Sequence, residues 1–424
     1  MVKTNAKPGD YVEVFFVKTS YKGILLEVPK SEKGIVLLKI ESGYNLGFSR
    51  KDILEIKVLK KFEERKEAVE IKKNPEKPNI AVIITGGTIA SKYDIKTGGV
   101  SALTNPEELF KFYPELFEKV NVLKVEIPFM KLSENMEFKD WQKLARTAEK
   151  LLNDSNVKGL IITHGTDTLH YTSSALSFFL KNLNKPVVLT YSQRSIDRAS
   201  SDANLNLQCS ALASISDIAE VMIVGHASIN DDFCYAMPGA KTRKMHSSRR
   251  DAFKVINGKP FARVFPDRIE IFSEHKIRNK NKVKIDTKFE DKIALIKIYP
   301  GQSPEVLDYY AKNKYKGVIL EMFGMGHLFL KKWSKKIKEI QKKGIVICAT
   351  SQTIYGRVNP LVYSTGRELK GAGVIYLEDM LSETAFVKLG WVLGHNDWAK
   401  DRKKVKEKML ENIAGEFNNK LGMD

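Results

Sequence analysis

Cysteine is scarce in this chain. There are three in 424 residues, Cys209, Cys234 and Cys348, an odd number, widely spaced and without a CxxC pair. That argues against a disulfide framework and against a thiolate metal site. No apolar run approaches the ~20 residues that a membrane-spanning helix requires. The runs that exist, such as "AVII", "GLII", "PVVL" and "GIVICA", have the length of buried strands. The opening MVKTNAKPGD lacks an apolar segment of signal-peptide type, so a cytoplasmic protein with no membrane partner is expected. His164, His170, His226, His246 and His327 show no metal-type spacing, and no metal is expected on this chain. Other signatures are missing too. No lysine follows Gly86-Gly87, so the P-loop pattern fails; GMGHLF lacks the third glycine of a dinucleotide fingerprint; no GxSxG elbow occurs.

Positive charge, by contrast, is abundant: the formal net charge is +19. A chain this basic attracts polyanions, transfer RNA among them. A generally lysine-rich surface accounts for the same balance, because the lysines are spread along the sequence.

Residues 1–60 read as a small β-barrel domain, with five short alternating segments between GDYVEVFF and DILEIKVL. Residues 61–79, charged and ending in two prolines, read as a linker that is helical in at most its first half. From residue 80 apolar strands alternate with amphipathic helices, the punctuation of a largely parallel sheet covered by helices. A second such series starts near residue 291, after the β-rich connection GKPFARVFPDRIEIFSEHK. The expected architecture is therefore α/β, with one unit over 80–285 and another over 286–424.

Ligands on open parallel sheets sit beyond the carboxyl ends of the strands. Two such ends stand out. Ala81–Ile84 runs into Thr85-Gly86-Gly87-Thr88, and GLIIT runs into His164-Gly165-Thr166-Asp167-Thr168. Both put glycine beside hydroxyls, where backbone N–H groups are free to meet a substrate oxygen. A threonine is a poor nucleophile until a base takes its proton. A lysine serves as that base when burial or nearby positive charge brings its pKa down toward ~7–8. Threonine, base and aspartate beside free N–H groups would suit acyl transfer from an amide. Each motif alone also fits a plain strand-to-helix turn with a capping threonine.

Together, TGGTIAS and THGTDT, about eighty residues apart, resemble the two signatures of the L-asparaginase/glutaminase amidohydrolases. The resemblance implies a two-domain parallel-sheet fold and assigns Thr88 as nucleophile, Thr166 with Asp167 as a second hydroxyl–carboxylate pair, and Lys244, from RKMHSSRRDAF, as the family lysine. It also implies that LSENM supplies Ser133 and Glu134 to the α-amino and α-carboxylate ends of the substrate, with Gly87 and Gly165 lining the same pocket. The family's flap tyrosine has no counterpart in register: Gly99 falls at that point in SKYDIKTGGVSAL, and Tyr93 is the nearby candidate. The alternative for Tyr93 is packing on a neighbouring helix.

The N-terminal extension, with YSQRSIDRASSDANLNL and YGRVNPLVYSTGRELKGAGVIYLEDMLSETAFVKLGWVLGH, resembles one branch of that family, the archaeal glutamyl-tRNA(Gln) amidotransferase D subunits. This implies a glutaminase subunit that hydrolyses glutamine or asparagine. The ammonia would be used by the amidotransferase E subunit, which binds ATP and magnesium, to convert Glu-tRNA(Gln) to Gln-tRNA(Gln). No cofactor is implied for this chain. A homodimer within a D2E2 heterotetramer is implied, with tRNA(Gln) held by the complex and His327 reaching toward the neighbouring chain's site; a helix-start histidine facing solvent is the alternative. Two other functions stay open at this level, a free-standing L-asparaginase and a catalytically dead tRNA-binding scaffold.

Overall fold

The computed structural model describes residues 4–28, 34–42, 44–62, 74–93, 100–102, 116–196, 198 and 200–420. The expected linker falls largely on 63–73, outside the described residues.

Between Tyr11 and Lys60 lies a five-stranded antiparallel sheet in the order fourth, third, second, first, fifth. Alternation in YVEVF sends Val12 and Val14 inward, where they meet Leu25, Val36, Leu38 and Ile53 in a small core of their own. This is the barrel-like unit expected from the sequence.

The strand Asn79–Ile84 begins an eight-stranded sheet. Its spatial order is Ile269–Ile271, Ala262–Val264, Cys234–Pro238, Val221–His226, Val187–Thr190, Leu160–Thr163, Asn79–Ile84, Asn121–Glu126. The last five in that order are parallel, and the first three are joined antiparallel. The segment expected as a β-rich connection thus extends the first sheet; its short strands pair antiparallel at an edge, where no helical crossover is needed.

NIAVII reads as a continuous apolar run because both of its faces are covered. Ile80, Val82 and Ile84 enter one core with Ile161, Val188 and Met222; Ala81 and Ile83 enter the other. The register sets Ile84 against Thr163 and Thr163 against Thr190. Three strands therefore end level, and the segments that follow them emerge side by side at one rim.

A second, four-stranded parallel sheet runs Ile293–Lys297, Gly317–Met322, Val346–Ser351, Ile375–Tyr376. One face is covered by the helix Leu330–Lys342 through Trp333, Ile337 and Ile340. The other packs on the helix Ser382–Leu393, whose Trp391 stacks on Phe178 of the helix Leu169–Phe179, ring centres 6.0 Å apart. The largest core is continuous across both α/β units, holding Leu160 and Leu189 together with Ile319 and Val346.

Candidate active site

The loop after Asn79–Ile84 leaves the sheet with Gly86 at φ 112° and Gly87 at φ 80°. Such values favour glycine, and the surroundings demand it as well. A Cβ on Gly87 would lie 2.4 Å from the backbone N and Cα of Gly165, and one on Gly165 would lie 2.7 Å from the Ser133 side chain. Three loops distant in sequence thus meet closely, backbone to backbone at Gly87 and Gly165 and backbone to side chain at Gly165 and Ser133. Thr88 follows at once and opens a single 3-10 turn, Thr88–Ala90, with Ser91 Oγ donating to Gly87 O at 2.8 Å. Thr88 is half-buried, and its hydroxyl has no hydrogen-bond partner among the described residues. The N–H groups of Gly87, Gly165 and Thr166 likewise have none among the described residues.

The second loop follows Leu160–Thr163. Ser133, buried in the turn Ser133–Asn135, clamps it from the side: the Asp167 N–H donates to Ser133 Oγ at 3.1 Å and Thr168 Oγ1 donates to Ser133 O at 2.7 Å. Glu134, the next residue, is exposed. Lys244 arrives from the hairpin Thr242–Lys244/Phe253–Val255. Its Nζ donates to Thr166 Oγ1 at 2.7 Å and to Asp167 Oδ1 at 2.8 Å. The lysine side chain is only 12% exposed while that of Asp167 is 60% exposed, so the pair has one buried and one solvent-facing end. The hairpin is held by Phe253, whose ring centre is 4.6 Å from that of Tyr191, and by Arg249 and Lys254, which both pair with the buried Asp251. Arg243, one residue before the lysine, donates to Glu383 of the second α/β unit at 2.7 Å, and Lys241 pairs with the buried Asp379 there. Arg243 and Glu383 also line a polar cleft with Lys297 and Glu321 at the carboxyl ends of the second sheet.

The structure therefore brings Thr166, Asp167, Lys244, Ser133 and Gly165 into direct contact and sets Gly87, with Thr88 beside it, against Gly165. Tyr93 ends a short strand, Ser91–Tyr93, paired with Val100–Ala102; its side chain and Gly99 lie outside the described residues. His327 does not stand free in solvent. Its Nδ1 lies 3.2 Å from the Thr365 hydroxyl and its ring meets Tyr363 edge-on at 4.9 Å, all within the second α/β unit.

Sequence reasoning missed His164. It sits behind the Thr166 loop, 1% exposed, with Nδ1 2.7 Å from Gly165 O and Nε2 2.9 Å from Thr172 Oγ1. Burial pushes its pKa down to about 4, against a smaller opposing effect of the Gly165 carbonyl, so the ring is neutral near pH 7. His170 is held near 4 in the same way, mainly by burial, with the Glu383 carboxylate opposing. The only sequence signal was a histidine at a strand end, which is equally common in a satisfied core position. Among the described residues no group of His, Cys, Asp and Glu is arranged to hold a metal ion.

Comparison with known proteins agrees with this fold. Residues 79–277 match the asparaginase N-terminal family, 292–409 the glutaminase/asparaginase C-terminal domain, and 6–59 the GatD N-terminal domain. The glutamyl-tRNA(Gln) amidotransferase D subunit of Pyrococcus furiosus is 45% identical, the alignment covering 96% of this chain and 94% of the relative. That of Methanobrevibacter smithii is 42% identical over 97% and 94%. Among solved structures, the thermostable L-asparaginase from Thermococcus kodakarensis superposes with a TM-score of 0.71 at 30% identity, over 81% of this chain and all of that one. The share of this chain beyond that superposition accords with the added N-terminal sheet. The chain belongs to the family of glutamyl-tRNA(Gln) amidotransferase D subunits, built on the asparaginase fold.

Proposed function

We propose that this chain is the glutaminase subunit of a tRNA-dependent amidotransferase, hydrolysing the side-chain amide of glutamine, or asparagine, to release ammonia. The observation that carries the reading is the single ammonium nitrogen of Lys244 within hydrogen-bond distance of both Thr166 Oγ1 and Asp167 Oδ1, at the rim where Gly87 and Gly165 touch. In this reading the Thr88 oxygen bonds to the amide carbon as its proton moves toward the leaving nitrogen. The C–N bond then breaks, ammonia leaves, and water splits the Thr88 ester to restore the hydroxyl. The N–H groups of Gly87 and Thr166, which have no partner among the described residues, are suited to the negative charge that builds on the amide oxygen. Ser133, Glu134 and Asp167 hold the amino-acid end of the substrate, and Lys244 keeps Thr166 and Asp167 in fixed relation.

The names of the relatives support the wider role. This chain would act in the cytoplasm with an E-type partner protein, which uses ATP and magnesium to activate the glutamate of Glu-tRNA(Gln) for attack by ammonia. A homodimer of this chain inside a D2E2 assembly, with His327 near the joint, is part of the same proposal; so is the division into units at residues 60, 79 and 285. The test is glutaminase activity of the purified chain with and without the E-type partner and Glu-tRNA(Gln). Activity that rises on adding both supports the reading. Full activity indifferent to both would favour a free-standing asparaginase, and no amide hydrolysis under either condition would favour a scaffold.

A further inference from the structure

Four buried groups line up behind the Thr166 loop in a chain whose proton directions are fixed by chemistry. Trp141 Nε1 is only a donor, and it reaches Thr172 Oγ1 at 3.0 Å. Gly165 O is only an acceptor, and it lies 2.7 Å from His164 Nδ1. With a neutral ring the proton must then sit on Nδ1, leaving Nε2 to accept from the Thr172 hydroxyl at 2.9 Å. Every group is satisfied in one arrangement: Trp141 to Thr172, Thr172 to His164, His164 to Gly165. Trp141 is 6% exposed, Thr172 fully buried and His164 1% exposed, so water does not compete along the chain.

The far end of this chain is a peptide group of the site. Because the peptide unit is planar and trans, a carbonyl pulled inward at Gly165 turns the N–H of Thr166 outward. That N–H has no partner among the described residues. The same peptide carries the Thr166 side chain to Lys244.

We propose that His164 is a positioning residue of the hydrolytic reaction: its Nδ1–H tautomer, selected by Thr172 and Trp141, fixes the Gly165–Thr166 peptide so that the Thr166 N–H faces the reacting amide oxygen. The proposal rests on the amidohydrolase reading of the site. It explains why a histidine serves where a hydrophobic residue would fill the same buried volume: a directional donor is needed at one ring nitrogen and an acceptor at the other.

The first test needs no substitution in the wild-type sample and no activity. Selective 15N-histidine labelling of the full chain, with the His164→Asn variant used to assign the resonance, reports which ring nitrogen carries the proton. An Nδ1–H tautomer is expected near pH 7; an Nε2–H tautomer or a charged ring would overturn the proposal. The second test separates positioning from filling. The Asn amide nitrogen occupies the place of imidazole Nδ1, and the Gln amide nitrogen that of Nε2. His164→Asn is expected to keep kcat within about 5-fold, whereas His164→Gln and Thr172→Val lower kcat by about 10-fold or more with little change in KM. Equal kcat in the Asn and Gln variants, active or inactive, would mean the ring only fills space. Thr88→Ala with hydrolysis intact would only reassign the nucleophile; absence of amide hydrolysis in the unaltered chain would remove the amidohydrolase reading instead, and would leave the tautomer result standing by itself.

Discussion

Lys244 Nζ and Thr166 Oγ1 lie 2.7 Å apart although 78 positions separate them in the chain. The contact joins a strand-end loop of the first sheet to a hairpin beyond it, and Asp167 extends it to a three-group unit. Groups that work as a unit lose function together when any one is removed.

Lys244→Ala, Thr166→Ala and Asp167→Ala are each expected to lower kcat/KM for glutamine by about 100-fold or more, and the double variants by little more than the singles. Steady-state kinetics of singles and doubles check this; full retention in Lys244→Ala would show that the lysine has no part in the reaction.

Thr88→Ala should abolish amide hydrolysis while leaving the thermal transition in place. The hydroxyl makes no hydrogen bond to a described residue that its loss would break. Intact ammonia release from the variant, measured with a coupled dehydrogenase assay, would reassign the nucleophile.

Gly87→Ala tests the meeting of the two loops. The added methyl would lie 2.4 Å from Gly165 backbone atoms, and φ 80° is unfavourable for alanine. A loss of ~1–3 kcal/mol in unfolding free energy is expected from overpacking and strain, together with a fall in kcat. Denaturant titration gives the first quantity, and an unchanged midpoint would show that the loops part easily.

Acid should weaken the fold through the buried histidines. The folded-state pKa values of His164 and His170 are pushed down from 6.5 to about 4, by burial first in each case. Between those values the unfolded chain takes up protons that the folded chain refuses, so stability falls as the pH drops from about 6.5 toward 4. Each group contributes a loss on the order of 2–3 kcal/mol by pH 4. Denaturation midpoints from pH 7 to 4 measure it. His164→Asn, which keeps the donor and lacks the titrating ring, should flatten the slope, and an identical slope in that variant would count against the assignment.

Glu416→Ala addresses the C-terminal segment. Glu416 pairs with Lys388, both side chains fully buried, and also accepts from the N–H groups of Ile413 and Ala414. Removing one partner strands the other charge, and a loss of roughly 3–5 kcal/mol is expected. Thermal unfolding reads it out; per folded molecule, hydrolysis should be unaffected, since the bonds of this pair go to Met409, Glu411, Ile413 and Ala414 and not to the Thr166 loop or Lys244.

Much of the architecture was legible because its signals are local. The run IAVII between Asn79 and Thr85 marks a strand with both faces covered, and TGGT marks where it must turn. The pairing of that turn with THGTDT was legible through resemblance, since no periodicity says that loops eighty residues apart will touch. The antiparallel edge at 258–276 was harder to see: short strands in a sheet and short strands in a connection look alike until their partners are known. His164 was illegible for another reason. Its role depends on Trp141, Thr172 and Gly165 O at once, and only tertiary structure supplies all three. Lys241–Asp379 and Arg243–Glu383 are of the same kind, joining residues 138 and 140 positions apart.

The continuous core has a consequence for biosynthesis. Phe178, Phe179, Leu160 and Leu189 are covered partly by Trp391, Leu389, Ile319 and Val346, which the ribosome delivers more than a hundred residues later. A nascent chain that has emerged only as far as residue 285 has built its catalytic rim on a sheet with one oily flank still bare. Completion of the polypeptide, rather than closure of the first sheet, is what commits the molecule to its final form, and chaperone engagement should end only after the Ser382–Leu393 helix has left the exit tunnel.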